Sequence, residues 1–412
     1  MSQQGPILVV STTRPPSFAA GLAAAGLFPV IEAEWADAVR AVYQVQPAAV
    51  VAASSEIDPA GLAALAARTA ACRPYLPLIA VDPRIPIPEN AIPFFQAREN
   101  IEGRPDRLIA RLGAALRIRS LHATVMRRQT PAALIASSDI DMIRDATVLL
   151  IGRGGAYPTL SVTLGERTGV VGALSIEAAA NHLNVREIDG IVLCEGFSLR
   201  VIDAFLTVLA EDARFRRLPV VVTAADLAPA YDLPNLEIMS ADAAQVAATV
   251  LPLIRQHAFE AHLSRTLKAI DADGLIDALT GLLTSAAFAR DFASAVYHTQ
   301  ERGGGLSVAR FAFDPAHPRA HIDGARIIGR LMRQMDFGAV QDDGSVVVAF
   351  AATNLKMAHA IARRLSSVMR HTSHGARDAR SEPVVTVATL LPKDSAKSLL
   401  SRLDEDAQRA AS

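Results

Sequence analysis

The sequence predicts an α/β protein: two similar doubly wound domains in tandem, followed by a third part. Three observations carry this. At 412 residues the chain exceeds the size at which one hydrophobic core keeps growing, so two to three domains are expected. Short continuous apolar runs alternate with helical text, the pattern of parallel strands buried on both faces. The plan of the first third then returns in the second: "DATVLLIG" (145–152) matches "PILVV" (6–10), "IDGIVLCEG" (188–196) matches "AAVVAASSE" (48–56), and "LPVVVTA" (218–224) matches "LPLIAVD" (76–82).

In chain order, the strand "PILVV" leads into the Ala-rich helical stretch "FAAGLAAAGL" (18–27). Strands follow at "AAVVAA" (48–53) and "LPLIAV" (76–81). The first domain, 1–121, closes with "RPDRLIARLGAALRIRSL" (104–121), an amphipathic helix with Leu108, Leu112 and Leu116 on one face. A linker, 122–144, contains Pro131 and a Ser-Ser-Asp stretch able to cap a helix. The second domain, 145–256, ends in a short strand "NLEIM" (235–239) and a long helix from about Ala243. A helical linker, 257–276, leads into the third part, 277–412.

Composition excludes several classes. Apolar residues make up 51% and charged residues 20%, which is globular and not disordered. A formal charge of -1 with no run of like charges gives no polyanion-binding surface, so nucleic acid is not an expected partner. "MSQQGPILVV" lacks a basic n-region and a cleavage site, and no apolar run reaches the length of a membrane span. A cytoplasmic protein without a membrane partner is expected. Cys72 and Cys194 have neither disulfide nor zinc spacing, so each reads as a small buried hydrophobe. His371 and His374 lie in loop-like text without a further ligand at metal spacing. The turn "IGRGGAYPTLS" (151–161) starts a G-x-G, but Tyr157 stands where a third glycine belongs and no Lys-Ser/Thr follows, so a plain β-α turn is expected.

The tandem resembles the receiver domains of response regulators, which implies two flavodoxin-like folds. Receivers place an acid pair after strand one, a phosphoacceptor Asp after strand three and Ser or Thr after strand four, to hold magnesium and take a phosphoryl group. Here the acid-pair positions read Ser11 and Thr12, the acceptor Ala53 and the hydroxyl position Asp82. In the second domain they read Gly152 and Arg153, Cys194 and Thr223. Both are therefore pseudo-receivers, kept as scaffolds or dimerisation surfaces.

In the third part, "DALTGLLTSAAFARDF" (277–292) resembles the entry of GGDEF domains, the family of diguanylate cyclases, through Asp277, Leu279, Thr280, Gly281, Leu282 and Phe288. Asp277 with the Thr-Gly turn is expected to cap the following helix, and Phe288 to reach the core. The resemblance implies a nucleotidyl-cyclase-like α/β fold and shows where it has degenerated. "LSVARFAFDPAHPR" (306–319) puts Ala312 at the metal-binding Asp and Asp314 at the second, and the guanine-binding segment is shortened to 316–328. The signature turn reads Asp342, Asp343, Gly344, Ser345, Val346. Two acids there face a triphosphate with a repulsion of about 1 kcal/mol each at contact in water. Asp343-Gly344 is expected to form a two-residue hairpin turn.

Ahead of that turn, "RQMDFGAVQDDGSV" keeps the family's Arg-x-x-Asp inhibitory motif in Arg333 and Asp336, with Arg364 at the supporting position beside Arg363. The resemblance implies cyclic di-GMP as ligand. An arginine fork suits the guanine O6/N7 edge or a phosphate, and a carboxylate accepts from guanine N1 and N2. The bland alternative is a surface ion pair, worth well under about 1 kcal/mol. Of 41 Lys plus Arg only Lys268, Lys356, Lys393 and Lys397 are lysine, so arginines recur throughout and the offset carries the reading.

Two receivers before a GGDEF domain resemble the order of receiver-linked members of the diguanylate cyclase family. The expectation is thus a non-enzymatic signalling protein and homodimer that binds cyclic di-GMP through Arg333, Asp336 and Arg364. It recruits a protein partner through its pseudo-receivers, without catalytic residues, metal or cofactor. A ligand-independent scaffold with a relic domain is the alternative, and residual cyclase activity the third.

Overall fold

The β-branched and aliphatic runs become strands in the computed structural model, which describes residues 5–12, 16–53, 59–84, 86–96, 105–129, 143–223, 227, 231–315, 318–370, 372–373 and 382–411. The Ser-Ser-Asp stretch, Pro131, His371 and His374 lie outside the described residues.

The first sheet consists of β1 (Ile7–Ser11), β2 (Val30–Glu34), β3 (Ala49–Ala53), β4 (Leu78–Val81) and β5 (Ala91–Phe94), in the order β2-β1-β3-β4-β5. Every pairing in it is parallel. This is the doubly wound order in which ligand sites form at the carboxyl ends of the strands. Its helices are α1 (Ser17–Ala24), α2 (Ala38–Val45), α3 (Pro59–Ala70) and α4 (Asp106–Arg128). On α4 the residues Leu108, Leu112 and Leu116 are all buried, as the heptad-like spacing requires. That helix continues seven residues past 121, to Arg128.

A second set repeats the plan with β6 (Thr147–Ile151), β7 (Gly169–Ala173), β8 (Gly190–Leu193), β9 (Val220–Val222) and β10 (Leu236–Ile238), and helices α5 (Tyr157–Gly165), α6 (Ile176–Val185) and α7 (Leu199–Glu211). β6 pairs β8, β8 pairs β9 and β9 pairs β10, all parallel. The alternation of strand and helix lapses before the last strand of each set. The described residues between β4 and β5, and between β9 and β10, hold no helix. "VDPRIPIPEN" carries three prolines there, which remove helix donors. The long helix α8 runs Ala243–Asp271.

The remaining elements are α9 (Ser285–Arg302), β11 (Leu306–Ala312), α10 (Pro318–Leu331), β12 (Phe337–Val340), β13 (Val346–Ala351), α11 (Leu355–Met369), β14 (Thr372–Ser373), β15 (Val384–Thr389) and α12 (Ala396–Ala411). β12-β13-β11-β15 form an antiparallel sheet. Successive side chains of β13 point to opposite faces, and both faces are covered. Val346, Val348 and Phe350 pack with Ile328 and Ala362 of α10 and α11, whereas Val347 and Ala349 pack with Phe288, Phe292 and Leu403 of α9 and α12.

The chain divides into two compact units: Met1–Leu164, Leu174–Ile176 and Asp189–Leu263, and Gly165–Ala173, Glu177–Ile188 and Ser264–Ser412. Inside the first unit, Arg111 of α4 is fully buried. Its guanidinium donates to Glu237 Oε1 of β10 at 2.8 Å, to Pro93 O at 2.8 Å and to Pro234 O at 2.6 Å. Burial pushes the Arg111 pKa down and that of Glu237 up, each opposed by the other's charge. Phe94 lies under both Arg107 and Arg111, 5.4 and 5.6 Å from its ring centre.

Candidate functional site

Among the described residues, neither sheet has a carboxylate cluster at the positions where a receiver holds its phosphoacceptor. Thr12 is exposed and Ser11 donates to the Thr12 carbonyl. Asp82 accepts both the backbone and the side-chain N–H of Gln96, at 2.8 and 2.9 Å. In the second set, a Cβ on Gly152 would lie 2.6 Å from Cys194 Cβ, so no acid fits between them. Burial pushes the Cys194 thiol up to about 12, with Glu195 adding to it, and the thiol stays protonated. Thr223 is buried and its amide donates to Leu193 O.

The stretches that resemble a cyclase in sequence lie on β11, the turn between β12 and β13, and the ends of α10 and α11. Asp277 closes its own turn: it accepts the Thr280 N–H at 2.8 Å and hydroxyl at 2.6 Å, and Gly281 follows at φ +79°. The helix starts eight residues later, at Ser285 after Thr284, so Asp277 caps a loop and not α9. Phe288 is buried against Phe292, as expected.

The signature turn also departs from the expected two-residue form. Gln341 N donates to Ser345 O at 2.8 Å and Gly344 N to Gln341 O at 2.9 Å, with Gly344 at φ +79° and neither Asp342 nor Asp343 at positive φ. A type I′ turn requires two positive φ values; this is a three-residue loop, a type I turn closed by a left-handed glycine. Asp343 Oδ1 accepts the Ser345 N–H at 3.0 Å and its hydroxyl at 2.7 Å. Its carboxylate also pairs with Arg310 of β11, which pairs in turn with Asp404 of α12. Burial raises the Asp343 pKa, but the Ser345 bonds and the Arg310 charge outweigh it and hold the carboxyl below the usual range.

Arg310 is two residues before Ala312 on β11, so both project to one face. It is the residue that motif matching missed. Only its spacing from Ala312 marks it, because a cation stands beside the position where the family's metal carboxylate belongs. These residues do not fit the metal that the resemblance implies: Ala312 offers no ligand, Ser345 donates its proton to Asp343, and the Arg310 guanidinium already satisfies the acids.

Arg333 follows α10 and is exposed; Asp336, ahead of β12, is buried. The structure brings these two into one turn. Asp336 N donates to Arg333 O at 3.0 Å, while Asp336 Oδ2 accepts from Arg333 N at 3.4 Å and Oδ1 from Ala351 N at 3.2 Å. Burial raises the Asp336 pKa, opposed by those two amides and the Arg333 charge. Arg364 and Arg363 are both exposed on α11, which packs on α10. Among the described residues, no hydrogen bond or ion pair joins the Arg364 side chain to Arg333 or Asp336.

A separate groove of about 740 Å³ lies on α7 in the first unit, lined by Leu199, Arg200, Asp203, Thr207 and Tyr231 among others. Tyr231 donates to Asp203 there at 2.6 Å. No helix among the described residues is long and apolar enough to cross a membrane.

No family model and no curated protein matches the chain. Among solved structures it is similar to a sensory box/GGDEF family protein from Caulobacter crescentus, at 19% identity and a TM-score of 0.31, over 33% of this chain and 97% of that one. The coiled coil and GGDEF domain of DgcB from the same organism, in complex with c-di-GMP, is 19% identical at a TM-score of 0.28, over 35% and 83% of the two chains. The GGDEF domain of FimX from Pseudomonas aeruginosa is 18% identical at a TM-score of 0.30, over 33% and 93%.

Proposed function

We propose that the chain is a non-catalytic effector that binds cyclic di-GMP at Arg333, Asp336 and Arg364 and recruits a protein partner through two pseudo-receivers. The observation that supports this most is the contrast between two neighbouring turns. The signature turn is closed on itself through Ser345 and Arg310. The Arg333 to Asp336 turn keeps Arg333 exposed and the Asp336 carboxylate anchored. A carboxylate has about four acceptor positions, so two remain on Asp336 for the guanine N1 and N2 hydrogens. In sequence this pairing of a degraded cyclase with a kept Arg-x-x-Asp resembles PopA, within the PleD-type order.

Titration calorimetry of the whole chain with cyclic di-GMP tests it. Wild type is expected to bind and Arg333→Ala to lose binding; absence of heat with wild type, or equal binding by the variant, overturns the reading. One observation favours the alternative of a ligand-independent scaffold: both Asp336 oxygens already serve backbone amides, which is a structural role in itself. The same titration separates the two readings. A GTP turnover assay with magnesium is expected to give no cyclic dinucleotide, and any product reverses the non-catalytic assignment.

A further inference from the structure

Helix α10 has two faces of different chemistry. Ala325, Ile327 and Ile328 are buried toward the sheet and α11. Arg319, Asp323, Arg326 and Arg330 follow at i, i+4, i+7 and i+11, one straight line along the helix. Every member of that line meets residues of the segments 165–173 and 177–188, which belong to the same compact unit. A Cβ on Gly169 would lie 3.0 Å from the Arg319 guanidinium. Asp323 pairs with Arg186 at 3.3 Å, and Arg326 lies 3.7 Å from Glu187 while donating to Leu279 O at 3.1 Å. Arg330 donates to the carbonyls of Leu183, Asn184 and Arg186 at 3.1, 3.0 and 2.7 Å.

The three Arg330 bonds are specific in kind. The last carbonyls of a helix have no partner within it and carry the negative end of its dipole. A guanidinium offers donors in a fixed fork, and all three nitrogens of Arg330 are used on the end of α6; a lysine ammonium has no such geometry. Arg186 beneath it has no solvent exposure, donates also to Val368 O of α11, and has its charge balanced by Asp323. The shortened segment between β11 and β12 thus forms a docking stripe.

Arg330 stands three residues before Arg333, at the end of α10, where Met332 N still closes on Ile328 O at 2.9 Å. The far side of the turn is pinned by Asp336 to Ala351. We propose that Arg330 is a positioning residue of the cyclic di-GMP site: by capping α6 it fixes the last turn of α10 and hence the backbone that presents Arg333. This rests on the ligand reading above. A pre-set turn binds with less ordering cost, and linkage is reciprocal, so ligand at Arg333 in turn tightens α6.

The test uses the full chain, with calorimetric titration of cyclic di-GMP and hydrogen exchange of residues 176–188. Arg330→Gln is expected to weaken binding by about 5-fold or more and to speed exchange at the end of α6. Arg330→Lys, with its charge but no fork, gives an intermediate loss and serves where the glutamine variant folds poorly. Leu403→Ala, a core truncation on α12, lowers stability without changing affinity. In wild type, ligand slows α6 exchange. Wild-type binding with unchanged affinity in Arg330→Gln and Arg330→Lys overturns the coupling alone; no binding by wild type overturns the ligand site and the coupling with it.

Discussion

Asp336 joins structure and proposed recognition in one carboxylate. Its pKa is raised in the fold by burial, so the folded state holds the proton more tightly than the unfolded chain. The resulting stabilisation is complete in acid, below the unfolded pKa, and is lost as pH rises through the raised one. Recognition runs the other way, because guanine N–H donors need the ionised acceptor. Cyclic di-GMP affinity is therefore expected to fall as pH drops through the raised pKa, and calorimetry from neutral into acid pH checks it. Flat affinity there would remove Asp336 from the site. Arg310 carries the opposite sign. Arg310→Met is expected to cost about 0.5–1 kcal/mol at neutral pH, the range for a partly exposed pair. Because the Asp343 pKa is lowered, the deficit closes as pH falls through that carboxyl's folded value. Thermal melts of both proteins at neutral and acid pH show whether the two curves converge.

At the scale of elements, the continuous aliphatic runs were legible because their signal is local. "PILVV", "TVLLI" and "GIVL" all became buried strands. β2, β5 and β7 carry no such signal. "VIEAE" is an edge strand with two exposed acids, "AIPF" is four residues with a proline, and "GVVGA" is framed by glycine. Turns were the weakest part. Residue types at Asp277 suggest a helix cap and those at Asp343-Gly344 a two-residue turn, whereas the fold forms a separate loop and a three-residue turn, since composition alone does not say which φ values tertiary packing selects. The Asp277 loop makes its own prediction: Gly281→Ala, at φ +79°, is expected to cost about 1–2 kcal/mol. Loss of stability in urea with wild-type secondary structure by circular dichroism checks it, and an unchanged midpoint would mean the loop relaxes freely.

For the whole molecule, the buried Arg111–Glu237 pair ties the helix that closes the first set to the last strand of the second, inside one compact unit. Breaking such a pair from one side leaves a buried charge uncompensated, at about 3–5 kcal/mol, whereas replacing both members with apolar residues is nearly neutral. Glu237→Leu is expected to lower the calorimetric transition markedly, and Arg111→Met in the same chain to restore most of it. A Glu237→Leu protein as stable as wild type would show that the pair contributes nothing. The candidate site was legible at this scale only in part. Arg333, Asp336 and Arg364 came from the motif offset, while Arg310, Arg330 and Arg186 belong to no motif that singles them out among the chain's many arginines.

By itself, the sequence determined the tandem of apolar strand runs and the absence of carboxylates at Ala53, Cys194 and Ala312, because apolar continuity and residue identity are local properties. Only the tertiary structure decided which arginine meets which partner. Arg310 reaches Asp343 and Asp404 across 33 and 94 residues, Arg111 reaches Glu237 across 126, and Arg330 reaches the α6 carbonyls across about 145. A guanidinium is always charged and pairs with any acid or carbonyl in reach. Its partner is thus chosen by the packing of helices and sheets, which no short stretch of sequence encodes.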